Sequence, residues 1–107
     1  MELNILRADP AGNITVFVLD PVEKAKRAAI AEKIMAIPAL KAEQVGYACA
    51  AEDDVDGHME MMGGEFCGNA TRAYGMYIAQ QKGGLSSVRL RVSGCDHVVT
   101  AQVDLKS

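Results

Sequence analysis

The spacing of apolar residues along the chain alternates between a strand-like period of two and a helix-like period near 3.6. Six short runs that are rich in β-branched residues, or that alternate between apolar and polar positions, predict strands, and two longer runs predict helices. The predicted strands cover 1–8, 13–19, 43–51, 58–62, 87–92 and 97–105, and the predicted helices cover about 20–36 and 68–82. The pattern therefore predicts the element order ββαββαββ.

The first predicted helix has start signals and one apolar face. Asp20 can cap it, Pro21 suits its first position, and Glu23 stands where a capping box places its acid. Its apolar residues return at helical spacing: Val22, Ala25, Ala29, Ile30 and Ile34. Charged residues, among them Lys24, Arg27 and Lys33, take the other side. We expect this helix to cover a sheet with its charged face in water.

The second predicted helix carries no charge between Arg72 and Lys82, and it ends at Gly83 and Gly84, which are typical helix-stop residues. A helix that is small or apolar on most sides is usually enclosed by other elements. We therefore predict an α+β fold, with a mixed, strongly curled, barrel-like sheet around this central helix and the first helix packed outside. The length of 107 residues favours a single domain over 1–107.

Charge and hydropathy exclude several classes of partner. The net charge is −3 and the eleven basic residues are scattered, so the sequence lacks the basic stripe of a protein that binds nucleic acid or an anionic membrane surface. The opening residues are too polar for a signal peptide, and no apolar run approaches the roughly 18 residues that a membrane span requires. We expect a soluble, cytoplasmic protein whose partner is a small molecule or another protein.

The three cysteines, Cys49, Cys67 and Cys95, form no CxxC pair. Their odd number and their spacing indicate neither a disulfide framework nor a structural metal site, and His58 and His97 have no partner at ligand spacing. We therefore expect no metal. Cys49 lies in an apolar strand and is interpreted as a core residue. Cys95 lies in a turn beside His97, where it is either reactive or merely exposed.

Cys67 lies in the stretch GGEFCGNATRAYG, at the predicted start of the second helix. Unpaired backbone NH groups and the positive end of the helix dipole favour a thiolate over a thiol there, and the same NH groups can hold a substrate carboxylate. Gly68 allows a ligand to approach the backbone, and Asn69 offers both a donor and an acceptor. Gly63 and Gly64 allow the preceding chain to bend into the site. The alternative is that Cys67 is a buried and inert cysteine.

Three segments resemble the diaminopimelate epimerase family. EFCGNATRAYGMYIA at 65–79 resembles the cysteine motif of that family, GNITVFVLD at 12–20 its early strand, and RVSGCDHVVTAQV at 91–103 its following hairpin. The resemblance implies an amino-acid racemase or epimerase that needs neither pyridoxal phosphate nor metal. It also implies a mechanism in which two cysteines face the α-carbon from opposite sides. One removes the α-proton as a thiolate, and the other returns a proton as a thiol.

The resemblance implies a role for each matching site residue. Cys67 would be one of the two catalytic cysteines, while Gly68 and Asn69 would hold the α-carboxylate or the amine of the amino-acid substrate. Asn13 would reach the substrate from the first hairpin, and Arg72 would be structural. The sequence CGNATR in place of the usual CGNGAR, together with the short GGEF approach, resembles the relatives that racemise other amino acids, such as histidine.

The resemblance covers only the N-terminal half of a two-domain epimerase, and neither Cys49 nor Cys95 stands in the context of a second catalytic cysteine. A lone half cannot present two thiols to opposite faces of one carbon, so we expect the isolated chain to be inactive. Three arrangements remain open: a fragment, a partner half on a separate polypeptide, or two copies around a shared cleft. The competing interpretation is a non-catalytic amino-acid-binding half-domain.

Overall fold

The computed structural model describes residues 3–9, 14–52 and 54–102. Within these residues the elements are β1 (Ile5–Ala8), β2 (Thr15–Val18), α1 (Lys24–Met35), β3 (Gln44–Cys49), β4 (Gly57–Met61), α2 (Gly68–Gln81), β5 (Ser87–Val92) and β6 (Val99–Gln102). The predicted order ββαββαββ is confirmed. Residues 1–2 and 103–105 of the outermost predicted strands lie outside the described residues.

The strands form one mixed sheet whose spatial order follows the chain order. β2 and β3 are parallel, as are β4 and β5, and the other neighbours are antiparallel. α1 connects the first parallel pair and α2 connects the second. The connections β2–α1–β3 and β4–α2–β5 both move toward the β6 edge of the sheet, but β2 and β4 run in opposite directions. If both crossovers are right-handed, as is usual, the two helices lie on opposite faces.

Each helix covers its own apolar core. On one face Val16, Val18, Val45 and Tyr47 pack against Ala31 and Ile34 of α1. On the other face Phe17, Met59, Met61, Val88, Leu90, Val92 and Ala101 pack against Ala70, Tyr74 and Ala79 of α2. Neighbours such as Phe17 and Val18 enter different cores because side chains alternate along a strand. This two-sided burial explains why β2 is apolar at successive positions.

The predicted barrel-like curl is not supported. Within the described residues the sheet is open, with β1 and β6 as its edges, and α2 lies on one face instead of inside a closed barrel. Met76 of α2 is 42% exposed, and Gln80 on the same helix is exposed as well. The lack of charge on α2 therefore reflects small and uncharged polar residues on its outer side. Neither helix among the described residues combines the length and hydropathy that a membrane span requires.

α1 begins at Lys24 with Glu23 as its N-cap, later in the chain than predicted. Asp20 does not cap the helix. Its carboxylate accepts hydrogen bonds from the backbone NH of Asn4 at 2.6 Å and from the side-chain amide of Asn4 at 3.2 Å. The predicted capping box is wrong because Asp20 instead ties the chain before β1 to the end of β2.

α1 faces the sheet with part of the predicted apolar face, since Val22, Ile30 and Ile34 belong to the core beneath it. Ala31 is buried, whereas Ala25 and Ala29, which were expected to face the sheet, are exposed. Arg27 was expected in water, but it is half-buried and donates a hydrogen bond to Glu60 of β4 at 2.5 Å. Residue 27 stands one helical turn before residue 31, so the two share a face.

Candidate active site

α2 begins directly after Cys67, which is its N-cap residue. The backbone there is extended, with φ −132° and ψ 112°. The Cys67 carbonyl accepts hydrogen bonds from the backbone NH of Thr71 at 2.9 Å and from its hydroxyl at 2.8 Å. Within the described part of the chain the thiol makes no capping bond of its own. The predicted position of Cys67 at the helix start is therefore confirmed, and its sulfur is free for another contact.

That contact is with Gln44, the first residue of β3. Nε2 of Gln44 lies 3.3 Å from Sγ of Cys67 and 3.0 Å from Oγ1 of Thr15. A primary amide carries two N–H donors, so one amide can serve both acceptors. Thr15 is fully buried and pairs with Gln44 across the parallel strands β2 and β3, which anchors the amide. A hydrogen bond from this anchored N–H gives the sulfur a fixed direction.

Gly68 and Asn69 form the first turn of α2, and both are partly accessible. The first NH groups of a helix have no partner four residues earlier and carry the positive end of the dipole. They can therefore bind a carboxylate next to the Cys67 sulfur. One turn later, Arg72 donates a hydrogen bond to Oδ1 of Asn69, which orients the Asn69 amide. The substrate contacts of these residues remain predictions.

The loop that precedes the N-cap of α2 is held by the turn between β5 and β6. Oγ of Ser93 accepts a hydrogen bond from the NH of Met61 at 2.8 Å and donates one to the carbonyl of Glu65 at 2.6 Å. Gly94 has φ +73°, and a β-carbon there would overlap the backbone nitrogen of Phe66. Glycine is required on both counts, so this turn fixes the approach to the thiol.

Gly64 bends the chain after β4. Its φ is +74°, and its NH donates to the carbonyl of Met61 at 3.0 Å. The NH of Gly63 donates to Oε1 of Glu65 at 3.1 Å. These contacts form a tight turn at the two glycines that were expected to bend the chain.

Asn13 lies outside the described residues, so its role stays a prediction. Met59 and Met61 are buried in the core beneath α2. Met62 packs on the opposite side, with the core beneath α1. These methionines therefore act as packing residues.

Four residues around the thiol are not identified by the sequence pattern: Thr15, Gln44, Ser93 and Gly94. Gln44 and Cys67 stand 23 positions apart in the chain, and their contact depends on how β3 and α2 meet. The one available signal for Gln44 is a polar residue opening the apolar run QVGYAC. For Gly94 the signal is its place in the turn SGCD.

A cleft of about 440 Å³ lies between α1 and the ends of β4 and β5. It is lined by Lys24, Arg27, Ala28, Glu60, Met61, Met62, Gly64, Ser93 and Gly94. Neither Cys67 nor Gln44 lines it. The cleft is therefore not the place where the thiol would meet a substrate.

The two other cysteines have polar neighbours. Cys49 is half-buried, with Nη2 of Arg27 3.7 Å from its sulfur, so its interpretation as a core residue is wrong. Burial raises the pKa of the Cys49 thiol, the Glu60 carboxylate raises it further, and Arg27 opposes both. Sγ of Cys95 lies 3.5 Å from each ring nitrogen of His97 in the β5–β6 turn.

Comparison with known proteins identifies a matching family and similar proteins. A family model described as the histidine racemase CntK N-terminal domain matches residues 2–107. A histidine racemase of Fusobacterium nucleatum subsp. nucleatum is 42% identical over 79 residues, which cover 72% of this chain and 27% of that protein. A histidine racemase of Staphylococcus aureus is 34% identical over 99 residues, which cover 89% of this chain and 36% of that protein. The chain thus spans about a third or less of the curated relatives it matches.

Proposed function

The chain belongs to the family of histidine racemase CntK N-terminal domains, and from this premise we propose that it is the N-terminal catalytic domain of an isomerase that racemises histidine. The observation that carries the proposal is the position of Cys67, between the first-turn NH groups of α2 and the amide of Gln44. The substrate proposed is that of the histidine racemases to which the chain is similar. The proposed proton transfer uses side chains and backbone alone, without pyridoxal phosphate or metal.

The substrate carboxylate binds first, against the NH groups of Gly68 and Asn69. A helix N-terminus attracts anions through its unpaired NH groups and its dipole. Because Cys67 immediately precedes these residues, a carboxylate held there brings the α-carbon next to Sγ. The Asn69 amide, oriented by Arg72, offers an acceptor toward the substrate amine.

The Cys67 thiolate then removes the α-proton. The carbon–hydrogen bond breaks, the proton joins Sγ, and the electron pair stays on the α-carbon, where the adjoining carboxylate delocalises it. The first-turn NH groups that hold the carboxylate stabilise this additional negative charge. The N–H of Gln44 orients the sulfur before the transfer. In the reverse direction the Cys67 thiol returns the proton.

Inversion requires a second acid on the opposite face of the α-carbon, because one thiol reaches only one face. We propose that the remainder of the racemase supplies it as a second thiol, on the same polypeptide, on a separate one or on a second copy. Two observations support a further part of the racemase: the chain spans only 27% and 36% of the two relatives, and Phe66 beside Cys67 is 48% exposed. A second domain that covers this apolar ring would also exclude water from the thiol.

The test is racemisation of L-histidine by the full racemase that contains this chain, followed by chiral chromatography. Cys67→Ser should lower the rate on the order of 10³-fold or more, since the proton acceptor is lost. Cys95→Ser is the matched control and should racemise at the wild-type rate. Calorimetric binding of histidine to Cys67→Ser should persist, which separates lost chemistry from lost folding. Wild-type racemisation by Cys67→Ser would refute the proposal, and binding without racemisation by the wild-type racemase would favour a non-catalytic binding domain.

A further inference from the structure

Three metal-ligating side chains meet on the α1 face of the sheet, away from Cys67. Cys49 and His58 are direct partners across the antiparallel strands β3 and β4, and Glu60 follows His58 by two positions on the same face. One ligand atom from each, the Cys49 sulfur, a His58 ring nitrogen and a Glu60 carboxylate oxygen, all lie within 4.8 Å of one another. All three residues are half-buried.

We propose that Cys49, His58 and Glu60 form a binding site for a divalent first-row transition ion of the zinc class. Thiolate, imidazole and carboxylate form a mixed donor set that zinc accepts, with the fourth position left to water. The thiol proton of Cys49 passes to solvent as its sulfur binds the ion. The sequence does not indicate this site through CxxC spacing or a histidine pair, because its ligands meet only when β3 and β4 pair.

The distances fit a site that closes slightly around its ion. Ligand atoms at ordinary zinc distances in a tetrahedral arrangement are separated by about 3.6 Å. The observed limit of 4.8 Å therefore requires a contraction on the order of 1 Å. Cys49 is the last residue of β3, and all three side chains reach solvent, so small rotations about their side-chain bonds can supply it.

Arg27 organises this cluster from α1. Its Nη1 lies 2.5 Å from Oε1 of Glu60, whereas Nε2 of His58 lies 3.4 Å from Oε2. One carboxylate oxygen is thus held by the guanidinium and the other is turned toward the histidine. The guanidinium also lies over the ring of Tyr47, 5.2 Å from its centroid, and the Tyr47 hydroxyl donates to the Arg27 carbonyl. Outer partners of this kind orient a ligand and tune its affinity.

The positive charge of Arg27 also limits the affinity. The ion and the guanidinium repel each other. Together they carry three positive charges, and the Cys49 thiolate and the Glu60 carboxylate supply two negative ones. We therefore expect a site that binds zinc reversibly and is selective for ions that accept sulfur. The site lies at the opposite end of β3 from Gln44, on the order of 17 Å away along the strand, and on the other face. An ion there does not take part in the proton transfer proposed for Cys67.

The test is titration of the metal-stripped 107-residue chain with Co²⁺, which reports a thiolate ligand through a sulfur-to-cobalt charge-transfer band in the near ultraviolet. The wild-type chain should show the band with one ion per chain, and Zn²⁺ should remove it by competition. Cys49→Ser should abolish the band. His58→Gln keeps the thiol and should weaken binding about tenfold or more.

Cys95→Ser is the matched control, because Cys95 and His97 form a second, more exposed cysteine–histidine pair. Its band should equal that of the wild type, and far-ultraviolet circular dichroism should show that each variant is folded. At the same concentration, Zn²⁺ should raise the melting temperature of the wild type and of Cys95→Ser by more than that of His58→Gln. No thiolate band in the wild type, a band that survives Cys49→Ser, or a band lost in Cys95→Ser would each overturn the site.

Discussion

Gln44 directs its side-chain amide at the Cys67 sulfur across 3.3 Å, although the two residues stand 23 positions apart. The same amide nitrogen lies 3.0 Å from the hydroxyl of the fully buried Thr15. The thiol at the start of α2 is thus connected to β2 and β3. A thiol held in this way has a fixed direction before any substrate arrives.

Gln44→Met should impair the proposed racemase while leaving its fold intact. Methionine has a similar length but no N–H donor, so the thiolate loses one stabilising hydrogen bond. We expect kcat for histidine racemisation to fall roughly 10- to 100-fold and alkylation of Cys67 by iodoacetamide to slow in parallel. Gln80→Met, which alters an exposed glutamine of α2, should leave both rates unchanged. Equal rates for the two variants would show that Gln44 has no role at the sulfur.

Gly94→Ala should destabilise the loop before Cys67. The new β-carbon must adopt φ +73° and would overlap the backbone of Phe66, so the strain adds to a steric clash. We expect the free energy of unfolding to fall by about 2–4 kcal/mol, measured by urea denaturation.

Gly83→Ala is the matched control for that change. Its φ is +87°, but a β-carbon there meets no atom of the described residues within 4 Å. The control should therefore lose only the conformational part, about 1 kcal/mol. Equal losses of unfolding free energy in the two variants would mean that the β5–β6 turn does not pack closely against the backbone of Phe66.

Tyr74→Phe should change the alkaline stability of the chain. Burial between α2, to which Tyr74 belongs, and the sheet raises the pKa of its hydroxyl to about 12, with a further contribution from Tyr77. A raised pKa in the folded state gives stability that is fully present below the ordinary tyrosine pKa of about 10 and is lost as pH rises toward 12. The wild type should lose on the order of 2 kcal/mol over this interval, and Tyr74→Phe should lose clearly less. Parallel urea denaturation curves for both proteins from pH 9 to pH 12 would contradict this expectation.

The elements were predictable from sequence because each depends on local periodicity. The start of α1 was not predictable, because the Asp20 carboxylate accepts hydrogen bonds from Asn4 and not from the NH groups of the helix. The open form of the sheet was not predictable from α2, because an uncharged helix can be either enclosed or covered on one face. Cys67 was found from its place before a helix, whereas Gln44 and the Cys49–His58 pair depend on strand register, which the chain does not display locally.

Exchange of the histidine α-proton with solvent deuterium measures directly the step assigned to Cys67. L-Histidine and D-histidine would be incubated separately in D₂O with the full racemase, and early deuterium incorporation would be followed by mass spectrometry. The wild type and Cys95→Ala should label both enantiomers. Cys67→Ala should lose labelling of the enantiomer whose α-proton faces the thiol, on the order of 10³-fold or more. Wild-type labelling of both enantiomers by Cys67→Ala would contradict the assignment of Cys67 as the base.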